Sequence, residues 1–314
     1  SDVMGNVTGI INPQAGIRVM YCGHMDEIGF IVHHIDESGF LYFGSIGGID
    51  VTTEVGQRVD VHGPSSIPGV IGRKAIQTFG AKDSSQAPSL GDLWIDIGVS
   101  SKPEAEKVAP IGTSVTLAGA FTPLCNDKAI GRAFDNKAGL FIGAEVLRVL
   151  SEEGGLAEDV GLFALGTVQE EIGSRGAVTA AYEVDPAVAI VVDMGVATDY
   201  PRADARGQGL LRLGDGPAVA LGPNTNRAVG DLLLNAASSN KFRHQRQAVG
   251  TSSPTDARVI QTSRAGVATG LLSVPLRYMH TPAEVLSLDD LEATIELVCA
   301  FLRRISSNTT FAPW

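Results

Sequence analysis

The chain has 314 residues, 44% apolar and 19% charged, enough for one large domain or two unequal ones around a real core. Its 24 basic against 35 acidic residues leave a net charge of -11, and no basic run stands out, which argues against nucleic-acid binding. No apolar run approaches ~18 residues and no basic start leads into an apolar stretch, so neither a membrane span nor a secretory signal is expected. The cysteines, Cys22, Cys125 and Cys299, are far apart and odd in number; they fit no disulfide framework, and a cytoplasmic location is expected. The chain opens on Ser-Asp-Val-Met without an initiator Met, so a natural start further upstream is also expected.

In chain order, the first strand is Arg18–Gly23. The run Ile28–Ile35, the turn Asp36-Glu37-Ser38-Gly39 and Phe40–Phe43 read as a hairpin. Short β-runs between glycines and prolines fill Gly44 to Gly119, with a helical period only near Lys102–Lys107, as expected of a small barrel or sandwich. From Asp135 the character changes. Asn136–Glu153 has helical spacing and stops at Gly154-Gly155. A buried-type strand at Val160–Thr167 precedes a helix after Gly173, then a strand at Ala187–Gly195. Helices at Arg227–Phe242 and Pro254–Gly266 alternate with strands at His244–Val249 and Val267–Leu272. An amphipathic helix at Ser287–Ile305 closes the chain, with Ser287 as its N-cap. Alternation of this kind predicts an α/β layered sheet. The expected organisation is an α/β domain over residues 1–43 and 121–314, interrupted by a β unit over 44–120.

Carboxylates and histidines recur at the ends of the apolar runs, where open α/β sheets present their chemistry. GHMDEIGF places His24 and Asp26 two apart, on one face if extended, so that Asp26 can hold one imidazole nitrogen and leave the other for a metal. Asp135, in GRAFDNKAG, stands before a helix; on that segment alone an N-cap is the simpler reading, although a carboxylate can also bridge two cations. In GTVQEEIGSRGA a strand runs into Glu170 and Glu171, which point opposite ways if extended. Acids at the end of an apolar strand are costly unless paired or metal-bound. VVDMG ends a buried strand near Asp193, and RYMHTPAEV offers His280 at a turn. His33, His34, His62 and His244 lack such settings and read as structural or surface. GSIGGID is no dinucleotide fingerprint, because no long helix follows it. No Gly-x-Ser-x-Gly elbow is present, which disfavours serine hydrolysis. A glycosidase would use paired carboxylates but has no need of the histidines. The combination of hard and borderline ligands points to a two-metal hydrolytic site.

The ordered set HMDEIGF, FDNKAG, VQEEIGSRGA, VVDMG and MHTPAEV resembles metallopeptidase family 42, the tetrahedral, glutamyl and deblocking aminopeptidases formerly described as endoglucanases. The resemblance runs from about Asp2 to Ile305. It implies a zinc-peptidase (phosphorylase/hydrolase-like) three-layer α/β domain with an inserted PDZ-like β-barrel. His24, Asp135 and Asp193 would hold one metal, and Asp135, Glu171 and His280 the other. Glu170 would be the general base, with Asp26 behind His24. Two divalent ions, zinc or alternatively cobalt, would serve cleavage of peptide substrates, and dimers would build a tetrahedral dodecamer. The sequence departs from the family pattern at Asn136-Lys137, where Asp-Arg often follows the bridging Asp, and at Ser253-Pro254, where Gly-Gly often precedes Thr-Asp. Two further readings are a related amidohydrolase (N-acyl amino acid deacylase or carboxypeptidase) and a non-catalytic assembly protein on a peptidase fold.

Overall fold

The computed structural model describes residues 1–75 and 87–312. Two strands open the chain, β1 (Val7–Ile11) and β2 (Ile17–His24). A barrel follows: β3 (Gly29–Ile35), β4 (Leu41–Ile46), β5 (Arg58–His62), β6 (Ser66–Arg73), β7 (Leu93–Asp96), helix α1 (Lys102–Val108) and β8 (Ser114–Leu117). The chain returns through β9 (Thr122–Pro123) and β10 (Lys128–Gly131) to α2 (Phe134–Glu153), β11 (Val160–Thr167), α3 (Arg175–Val184) and β12 (Val188–Val196). After the short α4 (Ala205–Gln208) come β13 (Ala218–Leu221), α5 (Arg227–Asn240), β14 (Gln245–Ala248), α6 (Ala257–Ile260), β15 (Ala268–Leu276), β16 (Glu284–Ser287) and α7 (Leu288–Leu302).

A seven-stranded sheet in the order β1-β11-β2-β12-β15-β13-β14 forms the main body. Its centre, β11-β2-β12-β15, is parallel. Strands of this kind are covered on both faces and so read as continuous apolar runs; β12 is buried over all but its last residue. Side chains of β2 alternate between the layers. Val19 and Tyr21 join Ile142 and Val146 of α2, Val229 and Leu233 of α5, and Leu297 of α7. Met20 and Cys22 join Ala177 and Ala181 of α3 and Ile260 of α6. The result is a three-layer α/β body.

Helix α2 lies close on the sheet. A Cβ at Gly143 would come within 2.4 Å of the Tyr21 ring, and one at Gly139 within 2.9 Å of the Val192 carbonyl oxygen. Glycine at both positions lets the first turns of α2 sit directly over β2 and β12, bringing Asp135 above their ends. Burial of Ile142, Val146 and Leu150 holds this face, at roughly 1.5–3 kcal/mol for each side chain.

The antiparallel strands β3-β4-β7-β6-β5-β8 close into a barrel. Its filling alternates cleanly: Phe30 and Val32, Leu41 and Phe43, Val59 and Val61, Leu93 and Ile95, Val115 and Leu117 all face in. Periodicity alone assigns Phe40–Phe43 and the preceding strand to the α/β part, but the barrel takes both. Its closure depends on β3 pairing with β8, Phe30 opposite Val115, a contact between distant segments that local periodicity does not reveal.

Other differences have local causes. Strand β1, an antiparallel edge beside β11, is half-exposed and lacks a strong alternation. The expected helix over Pro254–Gly266 shrinks to Ala257–Ile260. Ser287 occupies the N-cap position of α7 but makes no side-chain cap, because it is also the buried last residue of β16. No helix among the described residues is long and apolar enough to cross a membrane.

Candidate metal centre at the strand ends

Every residue singled out in the sequence arrives at the carboxyl end of the parallel strands. His24 is the last residue of β2, and Asp193 lies in β12. Glu170 and Glu171 follow β11, and His280 sits in the turn between β15 and β16. Asp135 leads α2 but is not helical itself, with φ -79° and ψ 103°. Its side chain caps nothing. Asn136 caps instead: its Oδ1 accepts from Gly139 N at 3.0 Å, while its Nδ2 donates to the Val192 carbonyl at 2.9 Å. The departure Asn136 therefore pins the start of α2 to β12.

Asp135 stands at the centre. Its Oδ1 lies 3.2 Å from His24 Nε2, and its Oδ2 lies 3.3 Å from His280 Nε2. Asp193 Oδ1 is 3.7 Å from His24 Nε2, and Glu171 Oε2 is 3.5 Å from His280 Nε2. Two triplets result, His24-Asp135-Asp193 and Asp135-Glu171-His280, each with donor atoms within 4.8 Å of one another. They share Asp135. Oε1 of Glu171 is buried and accepts no hydrogen bond, and Oδ1 of Asp135 is buried with only the His24 imidazole, at 3.2 Å, beside it. Buried oxygens without partners are rare, and carboxylate plus imidazole is a donor set that suits divalent ions such as zinc. The residues fit a metal pair.

Glu170 and Glu171 are not in extended chain. Gln169 takes φ 60°, and Gly173 N and Ser174 N donate to the Glu170 carbonyl. This turn aims both side chains at one cavity, where the sequence reading expected opposite faces. Asp26 organises the turn: its carboxylate accepts from Glu170 N at 3.1 Å and Glu171 N at 3.2 Å. The imidazole of His24 is held differently from expectation. Its Nδ1 bonds the Asp26 carbonyl oxygen at 3.1 Å, while the Asp26 carboxylate is 3.5 Å away.

Two buried acids were assigned no role in the sequence reading. Glu284, 2% exposed, accepts from His280 N at 3.0 Å through Oε1 and from Asp135 N at 3.2 Å through Oε2. One carboxylate thus ties together the shared residue and the left-handed His280, φ 62°. Asp256 accepts from Thr167 Oγ1 at 2.5 Å and Cys22 Sγ at 3.3 Å, linking α6 to β11 and β2. The only available signal was position: Glu284 lies four residues after His280 within MHTPAEV.

Burial raises the carboxyls of Glu170, Glu171 and Glu284 to about 7 each, and pushes Asp193 well above its usual range. Asp135 moves the other way: burial opposes it, but His24 and His280 hold it below the ordinary carboxylate range. His280 rises to about 9, chiefly through Asp135. In His24, burial lowers the value, but contacts with Asp135 and Asp26 and the charge of Asp193 overcome it and lift the imidazole well above its usual value. Carboxylates outnumber imidazoles so heavily here that added positive charge stabilises the cluster.

The cluster lies at the carboxyl ends of the parallel strands of a three-layer sheet, where such folds present their chemistry. The family model of the M42 glutamyl aminopeptidases matches residues 5–297. The chain is 35% identical over 299 residues to the putative aminopeptidase FrvX of Escherichia coli K12, covering 93% of this chain and 82% of that protein. Its fold matches the TET aminopeptidase of Thaumarchaeota archaeon SCGC AB-539-E09 with a TM-score of 0.93 at 31% identity, over 98% of this chain and 86% of that one. It also matches the Pyrococcus horikoshii TET1 peptidase, which can assemble into a tetrahedron or a large octahedral shell, with a TM-score of 0.85 at 26% identity, over 97% and 88% of the two chains. The chain belongs to the M42 aminopeptidase family. It is a peptide-bond hydrolase of a metal-dependent family.

Proposed function

We propose that this aminopeptidase works with two divalent cations, one held by His24, Asp135 and Asp193, the other by Asp135, Glu171 and His280. The observation that carries the reading is the shared Asp135, whose two oxygens face different histidines at 3.2 and 3.3 Å. When bound, such a pair supplies Lewis acidity toward the scissile carbonyl and acidifies water between the ions. Glu170 acts as the general base. Its carboxyl, raised by burial to about 7, is matched to taking a proton near neutrality and returning it to the leaving amine. Ser174 Oγ donates to its Oε1 at 3.3 Å, leaving Oε2 directed toward the centre, 4.0 Å from His24 Nε2. Asp26 positions both glutamates through their backbone amides and His24 through its carbonyl. The metals are zinc, with cobalt able to use the same donors.

The substrates are peptides with a free α-amino group, entering a cavity of about 340 Å³ above the centre. The family relationship favours this over the deacylase and carboxypeptidase readings, and the full donor set speaks against a degenerate assembly protein. We further propose a cytoplasmic homo-oligomer in which dimers build a tetrahedral dodecamer and the barrel mediates association; the behaviour of the P. horikoshii relative supports this.

The test is metal content by mass spectrometry together with hydrolysis of aminoacyl chromogenic substrates before and after chelation. Two ions per chain, with activity lost on their removal and restored by zinc or cobalt, is the expected result. Full activity in a metal-free sample would reject it. Light scattering of the native particle tests the dodecamer, which a stable monomer would exclude.

A further inference from the structure

The turn that carries Glu170 and Glu171 passes through three left-handed positions, Gln169 at φ 60°, Gly173 at φ 116° and Ser174 at φ 56°. Gln169 and Ser174 take that conformation at a cost, so surrounding contacts must impose it. Asp26 supplies part of this from within the site, through the amides of Glu170 and Glu171. The ends of the turn are held by a residue that does not line the cavity: Asn6, 2% exposed, in the segment before β1. Its Oδ1 accepts from Val168 N at 3.0 Å, and its Nδ2 donates to the Gly176 carbonyl at 3.1 Å. Val168 precedes the two glutamates and Gly176 follows them, so one side chain bridges both ends of the turn. Gly176 N closes the same gap by donating to the Val168 carbonyl at 2.9 Å. A Cβ at Gly176 would lie 2.3 Å from Asn6 Oδ1 and 2.5 Å from the Val168 carbonyl oxygen, so the approach requires glycine there.

Asn6 is itself fixed. Its Nδ2 donates to Asp2 Oδ2 at 2.7 Å, and Asp2 Oδ1 accepts from the amides of Met4, Gly5 and Asn6, each at 2.9 Å. A carboxamide both accepts and donates, which is what bridging an N–H and a carbonyl demands; a carboxylate only accepts, and an alanine does neither. We infer that Asn6 is a positioning residue for Glu170: the Asp2–Asn6 clasp sets the turn, and the turn sets where the Glu170 carboxylate stands over the metal centre. The inference rests on the aminopeptidase reading of that site. It makes the segment before β1 part of the working enzyme, although Asn6 touches neither a proposed metal ligand side chain nor the cavity.

The experiment compares the metal-loaded wild type with Asn6→Ala, the milder Asp2→Ala, and Asn12→Ala. Asn12 is a matched control: it follows β1 directly, and its Nδ2 donates to the Val160 carbonyl at 3.2 Å, at the other end of β11. Each variant is assayed for kcat and KM on an aminoacyl p-nitroanilide at saturating zinc, with metal content measured in the same samples. Full occupancy separates a misplaced Glu170 from an ion lost through Glu171. Hydrogen exchange of peptides spanning residues 168–176 reads the turn without turnover.

In Asn6→Ala, kcat should fall roughly 10- to 100-fold while KM stays within about threefold, because a small displacement of a reacting group costs turnover more than binding. Exchange across the turn should quicken. Asp2→Ala should show the same pattern at roughly 3- to 10-fold in kcat, and Asn12→Ala should keep wild-type kcat and wild-type exchange at the turn. Wild-type kcat in a folded Asn6→Ala, or an equal loss in Asn12→Ala, overturns the inference. If Asn6→Ala does not fold, Asp2→Ala decides, and wild-type kcat with unchanged exchange there overturns it. A metal-loaded wild type that cleaves no aminoacyl substrate would instead reject the aminopeptidase reading, and the exchange comparison would still show whether Asn6 holds the turn.

Discussion

The barrel and the strand-end cluster solve opposite problems. Inside the barrel, Phe30, Val32, Leu41, Val59, Ile95 and Val115 are all at most 1% exposed and apolar, so burial alone stabilises them. Between β4 and β5 stands Glu54, fully buried, with Thr53 Oγ1 donating to one oxygen and no partner at the other. At the ends of β2, β11 and β12 the chain instead buries His24, Asp135, Asp193, Asp256 and Glu284 within a few ångströms of α2 and α6. Burying charge costs several kcal/mol per ion without compensation. The cluster compensates with backbone amides and hydroxyls, but Glu171 retains a buried oxygen without a partner, and Asp135 Oδ1 has only the His24 imidazole, at 3.2 Å, beside it. The difference teaches where to look for function: beside the barrel one buried carboxylate stands alone, whereas at the strand ends several buried carboxylates converge on two imidazoles, a charge balance that cations would correct.

The strongest way to break that contrast is Asp135→Ala. One residue serves both proposed metal positions, so both ions should be lost and activity should fall by at least ~10³. Retention of two tightly bound metals, measured after gel filtration, would refute the sharing. The melting temperature of the wild type should also drop on chelation, because a ligand that binds only the folded state stabilises it by mass action.

Glu170→Gln is the next largest effect. It preserves shape and removes basicity, so turnover should fall roughly 10²–10⁴-fold with metal content unchanged. Glu171→Gln should lower metal affinity instead. Metal loss in Glu170→Gln with full occupancy in Glu171→Gln would reverse the two roles.

Glu284→Gln sharpens the comparison one shell further out. A carboxamide offers one accepting oxygen where Glu284 supplies two, so either Asp135 N or His280 N loses its partner. Residues that orient metal ligands typically change metal affinity by ~10–100-fold when replaced, and that range is expected in competition with a chelating dye. Wild-type affinity in this variant would show that the backbone holds its geometry without the carboxylate.

Much of this was readable in the sequence because the reactive residues follow apolar runs and precede glycines: His24 after RVMYCG, Glu170 and Glu171 after FALGTVQ, Asp193 after AIVV. A buried parallel strand announces its own end. The supporting acids were not readable. Glu284 binds amides that are neighbours only in the folded chain, and the carboxylate of Asp26 turns out to serve the backbone of Glu170 and Glu171 more closely than the ring of His24. The barrel edge was misplaced for the same reason, since the pairing of β3 with β8 decides it. The shortness of α6 also follows from tertiary contact: Asp256 spends its carboxylate on Thr167 and Cys22, not on a helix cap.

The smallest expected effect tests whether the two regions act on each other. The chain crosses between them twice, near Glu27 on the way out and after Leu117 on the way back, and Arg132, just after β10, reaches back to both points. Arg132 Nη1 donates to Thr116 Oγ1 at 2.8 Å and to the Leu117 carbonyl, while its Nε lies 3.4 Å from Glu27 Oε2. Lys137 reaches the same glutamate at 2.6 Å. Arg132 is the more buried of the two cations, 23% exposed against 45% for Lys137. Arg132→Ala should therefore cost about 1–2 kcal/mol in urea unfolding, because it leaves a barrel carbonyl without its donor and Glu27 with Lys137 as its remaining cation. Lys137→Ala should cost less than about 1 kcal/mol, as exposed pairs do. Arg132 precedes Asp135 by one short turn, so loosening it should also lower kcat/KM, by less than tenfold. If both substitutions proved equally mild and activity stayed at the wild-type level, the barrel would be a passenger on the catalytic body, and its proposed role would rest on association between subunits alone.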